Sequence, residues 1–306
     1  MNMLRKQKPG GIIFTPGCSL SCVFCGGHRK TPKARIKEQE INAYRNLQDF
    51  KREGIKQISI SGSDPIEYEK IIELIKYIKE EGFESVKLST HGERLSDPVF
   101  LKKLIASGVD ELRMPIYGSN AKIHDSITQT PGSFNRIISG IKNLLKKKTK
   151  VQIQISSMIF RQNKNDLLNI VDLVDGLGIK NFYFSIPCLT EDDYSFYIPF
   201  KELSPYLKKL YDYALKVNNK IMFLEVPFCV FGKFNTKNIN NRVSPPNLGK
   251  YNQPPEAVRT ETPDLPAYRL KRKIAMCNGC KAFDYCDGFF INDIDKFGTG
   301  KIKPIR

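Results

Sequence analysis

Tryptophan is absent from this 306-residue chain, and no run of residues is long and apolar enough to span a bilayer. The first absence argues against an exposed base-stacking platform, because Tyr and Phe mostly fall in core patterns. The second leaves no expectation of a membrane partner. A cleavable leader is not expected either, since Met1–Gly10 is short and basic and leads straight into a strand pattern. Acidic residues are outnumbered, 32 against 49 basic ones, which gives a formal charge of +17. Such an excess suits RNA, an anionic surface or an acidic peptide. A Lys-heavy composition with solvated helix faces accounts for it as well. Lys146-Lys147-Lys148, for example, ends a helical pattern, where positive charge suits the helix dipole.

Disulfides are the next feature not expected. Eight cysteines in a chain this long, with no leader expected, fit metal or redox chemistry in a reducing, anaerobic cytoplasm. Cys18, Cys22 and Cys25 form a Cys-x3-Cys-x2-Cys run directly after an apolar, β-prone stretch. Three thiolates at this spacing can close on one face of an iron–sulfur cube and leave the fourth iron open. The alternatives are a zinc knuckle, for which His28 is the nearby fourth ligand, and three buried thiols. Cys277, Cys280 and Cys286 form a second group, Cys-x2-Cys-x5-Cys, which suggests another metal. A closed site there needs a fourth ligand, and Cys188 and Cys229 remain.

Between residues 11 and 226 short β runs alternate with helical ones. Strands are expected at Gly11–Thr15, Gln57–Ser61, Ser85–Ser89, Glu111–Ile116, Val151–Met158 and Asn181–Ile186. Tyr68–Glu80 and Ser133–Lys148 carry apolar stripes at helical spacing, and Asp97-Pro98 opens another helix with a cap and a Pro at its first position. Six strand–helix units in succession predict an α/β fold with a parallel sheet and right-handed crossovers. Residues 117–134 read as a long loop after the fourth strand. Residues 232–266, rich in Asn and Pro, read as a further loop, linker or lid.

The first cysteine run, with Phe24 just before its third Cys, resembles the cluster motif of the radical S-adenosylmethionine (SAM) enzymes. The resemblance covers roughly residues 10–225. It implies a partial (β/α)6 TIM-like barrel, a [4Fe-4S] cluster with an open iron, and SAM as the molecule that binds that iron. Gly62-Ser63-Asp64-Pro65, at the end of the second strand, is similar to the family's Gly-Gly-Glu-Pro turn, whose main-chain carbonyls take the SAM amino group. Ser63 and Asp64 depart from the family residues, and Asp64 can equally be an ordinary helix cap. By position, Ser89, Thr90 and Arg113 are implied contacts of the SAM ribose and carboxylate, as are the neighbouring His91 and Tyr117. Phe24 is implied beside the adenine, and Met158 as an apolar wall. His124 reads as a loop-bracing residue rather than a catalytic one.

The second group resembles a shortened SPASM, or twitch, domain with one auxiliary [4Fe-4S] cluster, for which zinc is the alternative. Cys229 is chosen over Cys188 as its fourth ligand. Cys188 is then a candidate hydrogen-atom donor to a substrate radical; a small buried hydrophobe is the plainer reading. The implied domains are residues 1–225, the radical SAM core, and 226–306, the auxiliary-cluster domain that includes loop 232–266. The implied activity is reductive SAM cleavage and hydrogen abstraction from a peptide or small molecule, served by an external one-electron reductant of the flavodoxin or ferredoxin type. RNA modification is the alternative substrate class. A non-catalytic iron–sulfur or zinc protein is the third reading.

Overall fold

The computed structural model describes residues 9–25, 32–187, 195–217, 220–235, 237, 239–240 and 271–306. Cys188 and His28 lie outside the described residues, as does most of the 232–266 segment. Within the described residues the chain divides into two compact units. One comprises the chain up to Pro115 together with Thr128–Gln154; the other comprises Ile116–Ile127, the chain from Ile155 to 240, and 271–306.

In the first unit the order is β1 (Gly10–Phe14), α1 (Lys33–Arg52), β2 (Gln57–Gly62), α2 (Ile71–Glu80), β3 (Ser85–Ser89), α3 (Pro98–Ala106) and β4 (Glu111–Pro115). The strands pair in parallel and in sequence, with Ile12 opposite Ile60, Ile58 opposite Val86 and Leu88 opposite Leu112. Along each strand a fully buried residue alternates with a half-buried one. The buried set, for example Ile58, Ile60, Val86, Leu88 and Leu112, is apolar throughout. Its burial removes large aliphatic side chains from water and drives the packing. The stripe of α2, Ile71, Leu74, Ile75 and Ile78, is likewise buried.

This α2 helix starts at Ile71, the first residue of its apolar stripe and three residues after the expected Tyr68. Asp64 caps a short 3-10 helix, Pro65–Glu67, which lies just ahead of the expected segment. The Asp97 cap expected for α3 is present, with Oδ1 accepting from Val99 N at 2.8 Å. The 117–134 segment is not a continuous loop. It contains α4 (Ala121–Thr128), whose buried His124, Ile127 and Thr128 fall at helical spacing. Asn120 Oδ1 accepts from Ile123 N at 3.1 Å and starts that helix. After it come α5 (Ser133–Lys146) and β5 (Gln152–Met158).

The second unit continues with α6 (Leu167–Gly176), β6 (Asn181–Ser185), α7 (Phe200–Lys216), β7 (Lys220–Leu224), α8 (Phe228–Phe231) and β8 (Ile239–Asn240). β6, β7 and β8 are again parallel and sequential, so the strand succession runs past the six expected strands. The C-terminal region adds β9 (Lys271–Arg272), antiparallel to β10 (Phe289–Phe290), and then α9 (Ile291–Phe297). Asp293 of α9 is buried and accepts from Phe200 N at 3.2 Å and from the Tyr197 hydroxyl at 2.8 Å. It thereby supplies the start of α7, whose own N-cap is Pro199, with an acceptor. Among the described residues no helix is long and apolar enough to cross a membrane.

Candidate metal centres

The first cysteine loop leaves β1 in the first unit. Cys22 is buried, Cys18 half-buried and Cys25 exposed. Leu20 N donates to Cys18 Sγ at 3.3 Å, and Cys25 N donates to Cys22 O at 3.0 Å, which makes a tight turn of the Cys22–Cys25 segment. The Cys18 and Cys22 thiols are pushed up to about 12. Burial is the main cause in both; the neighbouring thiols and Glu93 add to it, and Asp64 adds to Cys18. Burial and the nearby sulfurs and carboxylates make a bare thiolate costly at Cys18 and Cys22. A cationic iron set reverses that penalty, because metal binding displaces thiol protons. The donor set therefore fits a thiolate-held cluster.

Several side chains fix this loop. Ser63 Oγ accepts from Gly17 N at 3.1 Å and donates to Gly17 O at 2.6 Å. Ser19 Oγ donates to Glu93 Oε2 at 2.5 Å, and Arg136 Nε of α5 meets Glu93 Oε1 at 2.9 Å. Ser21 N donates to Thr128 O at 3.0 Å.

The turn after β2 lies against the loop. Gly62 has φ +144°, and a Cβ there would fall 1.6 Å from Phe14 O, so no other residue fits between β1 and β2. Asp64 is fully buried. Oδ1 accepts from Ile66 N and Oδ2 from His91 N, each at 3.4 Å. Burial raises its carboxyl to about 7 against the hydrogen bonds from Thr90, Ile66 and His91, which lower it. The side chain is committed inward as a cap, which leaves the main chain of this turn as the part that can meet a ligand.

Thr90 is buried, and its Oγ1 accepts from Gly92 N at 3.1 Å. Ser89 and Arg113 are opposite each other in register and half-buried, and Arg113 Nε donates to Gln154 Oε1 at 2.7 Å. With them on the half-buried face stand Ser59, Ser61, Lys87 and Glu111, and Lys87 pairs with Glu111 at 3.1 Å. This polar row was not among the expected site residues. Its signal was present in the strand alternation, where Ser, Lys, Glu and Arg occupy the positions between aliphatic ones. His91 Nδ1 is buried without a hydrogen-bond partner among the described residues, and burial lowers the ring to about 4, so the imidazole is neutral.

In the second unit Met158 ends β5 half-buried, and its carbonyl accepts from Asn163 Nδ2 at 2.9 Å. His124 is buried, with Nδ1 accepting from Tyr117 N at 3.1 Å, a bracing arrangement. Phe24, in the first unit, is half-buried beside Cys25 in sequence.

The second cysteine group is brought together with Cys229. A small cavity is lined by Cys229, Cys277, Cys280 and Cys286, with Phe228 and Phe289 among its walls. Cys229 stands on α8, and its thiol is pushed up to about 12 by burial first, then by Cys286, Cys277 and Cys280. Cys280 N donates to Cys277 O at 3.0 Å, and Phe283 N donates to Cys280 O at 2.9 Å, which winds the loop around the cavity. Gly288, at φ +89°, lets the chain return, since a Cβ there would fall 1.9 Å from Arg272 O. Among the described residues no three His, Cys, Asp or Glu side chains converge as closely as a single ion requires. Four thiols around one cavity are a donor set that suits a thiolate-held metal group, an iron–sulfur cluster or a zinc ion.

Comparison with known proteins follows the same outline. Residues 12–174 match the family model described as the radical SAM superfamily. An AdoMet-dependent heme synthase of Methanosarcina barkeri is 29% identical over 178 residues, 57% of this chain and 49% of that protein. A probable GTP 3',8-cyclase of Saccharolobus islandicus is 23% identical over 174 residues, 56% of this chain and 54% of that protein. The chain thus spans about half the length of these curated relatives. Among solved structures, Streptococcus suis SuiB bound to S-adenosylmethionine superposes with a TM-score of 0.63 at 17% identity, covering 97% of this chain and 76% of SuiB. The enzyme anSMEcpe with bound AdoMet and the Kp18Cys peptide gives 0.54 at 17% identity, covering 70% of this chain and 63% of that one. These likenesses show the fold, the partial barrel that the sequence resemblance implied.

Proposed function

This chain belongs to the radical SAM superfamily, and from that premise we propose that it uses SAM to abstract a hydrogen atom from a peptide, which it modifies or oxidises. One observation supports the peptide over a small molecule. The structural likeness to SuiB extends over 97% of this chain and so takes in the second cysteine group, and SuiB was also captured with its precursor peptide SuiA. The curated relatives, named for heme synthesis and GTP cyclisation, match only 57% and 56% of it.

In this reading Cys18, Cys22 and Cys25 hold a [4Fe-4S] cluster, and Cys229, Cys277, Cys280 and Cys286 hold an auxiliary one. When bound, the first cluster supplies the electron that cleaves SAM to methionine and a 5′-deoxyadenosyl radical, the hydrogen-abstracting species. The main chain of Gly62 and Ser63 takes the SAM amino group, while the Asp64 side chain holds that turn in shape. Ser89 and Arg113 face the ribose and carboxylate. Thr90 acts mainly by holding the turns after β2 and β3 together, since its hydroxyl bonds the Asp64 carboxylate as well as Gly92 N. Phe24 flanks the adenine, and Met158 supplies an apolar wall. An external one-electron donor completes the cycle.

The test is anaerobic incubation of reconstituted protein with SAM, reductant and candidate peptides in deuterated solvent, read by mass spectrometry. The expected result is 5′-deoxyadenosine together with a mass change in a peptide. Deuterium from solvent in that product points to an exchangeable thiol, such as that of Cys188, as hydrogen donor. No SAM cleavage overturns the enzyme reading; cleavage with no peptide changed overturns the peptide.

A further inference from the structure

The Glu93–Arg136 pair stands apart from the residues already given a role. Glu93 opens the short 3-10 helix Glu93–Ser96 after β3, and Arg136 lies on α5. The carboxylate is spread between two partners. Oε2 accepts from the hydroxyl of Ser19, which directly follows Cys18, at 2.5 Å, and Oε1 meets Arg136 Nε at 2.9 Å. Only 11% of the Glu93 side chain is exposed, against 43% for Arg136. The seat for α5 is close. A Cβ on Gly140 would fall 2.3 Å from Gly92 O, so only glycine lets that helix lie against the residue preceding Glu93. A nearly buried negative charge is therefore held one residue from a cluster ligand, with its compensating cation on the solvent side.

We propose that Glu93 and Arg136 set the reduction potential of the group held by Cys18, Cys22 and Cys25, the carboxylate opposing its reduction and the guanidinium limiting that opposition. The inference rests on the assignment of a cluster to these cysteines. The physics is a charge effect. Reduction adds one electron, and a nearby fixed negative charge disfavours it in proportion to its burial. Removing the Glu93 charge eases reduction; removing the Arg136 charge makes it harder. The second effect is smaller, because the guanidinium is more exposed and more screened. Ser19 contributes position and no charge.

The experiment is an EPR-monitored redox titration of the anaerobically reconstituted full-length chain, with the signal of this cluster identified by its response to added SAM. At a fixed ambient potential, Glu93→Gln is expected to raise the ratio of reduced to oxidised cluster roughly threefold to tenfold. Arg136→Gln is expected to lower it about twofold, with Arg136→Lys close to wild type. Ser19→Ala stays within about twofold of wild type. Iron and sulfide content, measured on each variant, separates potential from assembly. Shifts of the same sign in Glu93→Gln and Arg136→Gln, or none in either with the cluster intact, overturn the inference and leave the proposed function standing. A wild-type chain that assembles no SAM-responsive cluster overturns both.

Discussion

Ser63 grips the backbone of Gly17 from both sides, accepting from its N at 3.1 Å and donating to its carbonyl at 2.6 Å. The residue before Cys18 is thereby tied to the turn after β2. In the family pattern this position carries glycine, which offers no hydroxyl. The departure that weakened the motif in sequence gives the loop a clamp of its own.

Ser63→Gly and Ser63→Ala should therefore both loosen the cysteine loop. Two hydrogen bonds to one backbone unit are together worth about 1–2 kcal/mol. We expect both variants to reconstitute with less iron and to melt at lower temperature than wild type. Full iron content with an unchanged melting temperature would show that the clamp does not hold the loop.

Gly62 tolerates no side chain. Gly62→Ala must move either Phe14 or the turn, and the strain is roughly 3 kcal/mol or more. The expected outcome is poor soluble yield or a large loss of stability by chemical denaturation. Gly178→Ala is the control, since nothing lies within 4 Å of a Cβ there. Its φ of +76° leaves only the smaller cost of a left-handed backbone, about 1 kcal/mol. Equal losses in the two variants would contradict the steric argument.

The two cysteine groups predict separable losses. Cys229→Ala should lower iron by about four atoms per chain, one cluster's worth, while the SAM-responsive EPR signal persists. Cys18→Ala should abolish SAM cleavage. Unchanged iron in Cys229→Ala would return the fourth-ligand role to Cys188.

Asp293 predicts a pH dependence of stability. Burial raises its carboxyl to about 6 in the folded chain, against a usual value near 3.8. The folded state thus binds this proton more tightly than the unfolded one. The group's contribution is most favourable below about pH 4, declines as pH rises through about 6, and is then constant. The decline is about 2–3 kcal/mol. Asp293→Asn keeps an acceptor for Tyr197 and Phe200 without the charge and should flatten this slope. Parallel urea midpoints for wild type and variant between pH 4 and 8 would rule the effect out.

How much of this was legible in the sequence follows the range of the interactions. β1 to β6 were found within about two residues, because the alternation of buried and half-buried positions repeats locally. Asp97 and its Pro announced α3 for the same reason. α4 was missed because its buried His124, Ile127 and Thr128 make a stripe too short and too polar to stand out. The ends of the cysteine loops were invisible. Ser19 finds Glu93, and Ser21 finds Thr128, across separations that carry no local pattern. Cys229 could be nominated by counting thiols, but only the folding of α8 beside the last cysteine loop explains why it faces them.

The acceptor that Asp293 gives Phe200 N spans 93 positions of chain. A nascent chain that has made all of α7 still lacks that acceptor until α9 has left the ribosome. The three cysteines at 277–286 emerge between those two events. Completion of the second unit therefore waits on nearly the whole of the chain as described, because the start of α7 meets its acceptor only once α9 is made. A chain truncated before α9 would leave Phe200 N at the start of α7 without this acceptor.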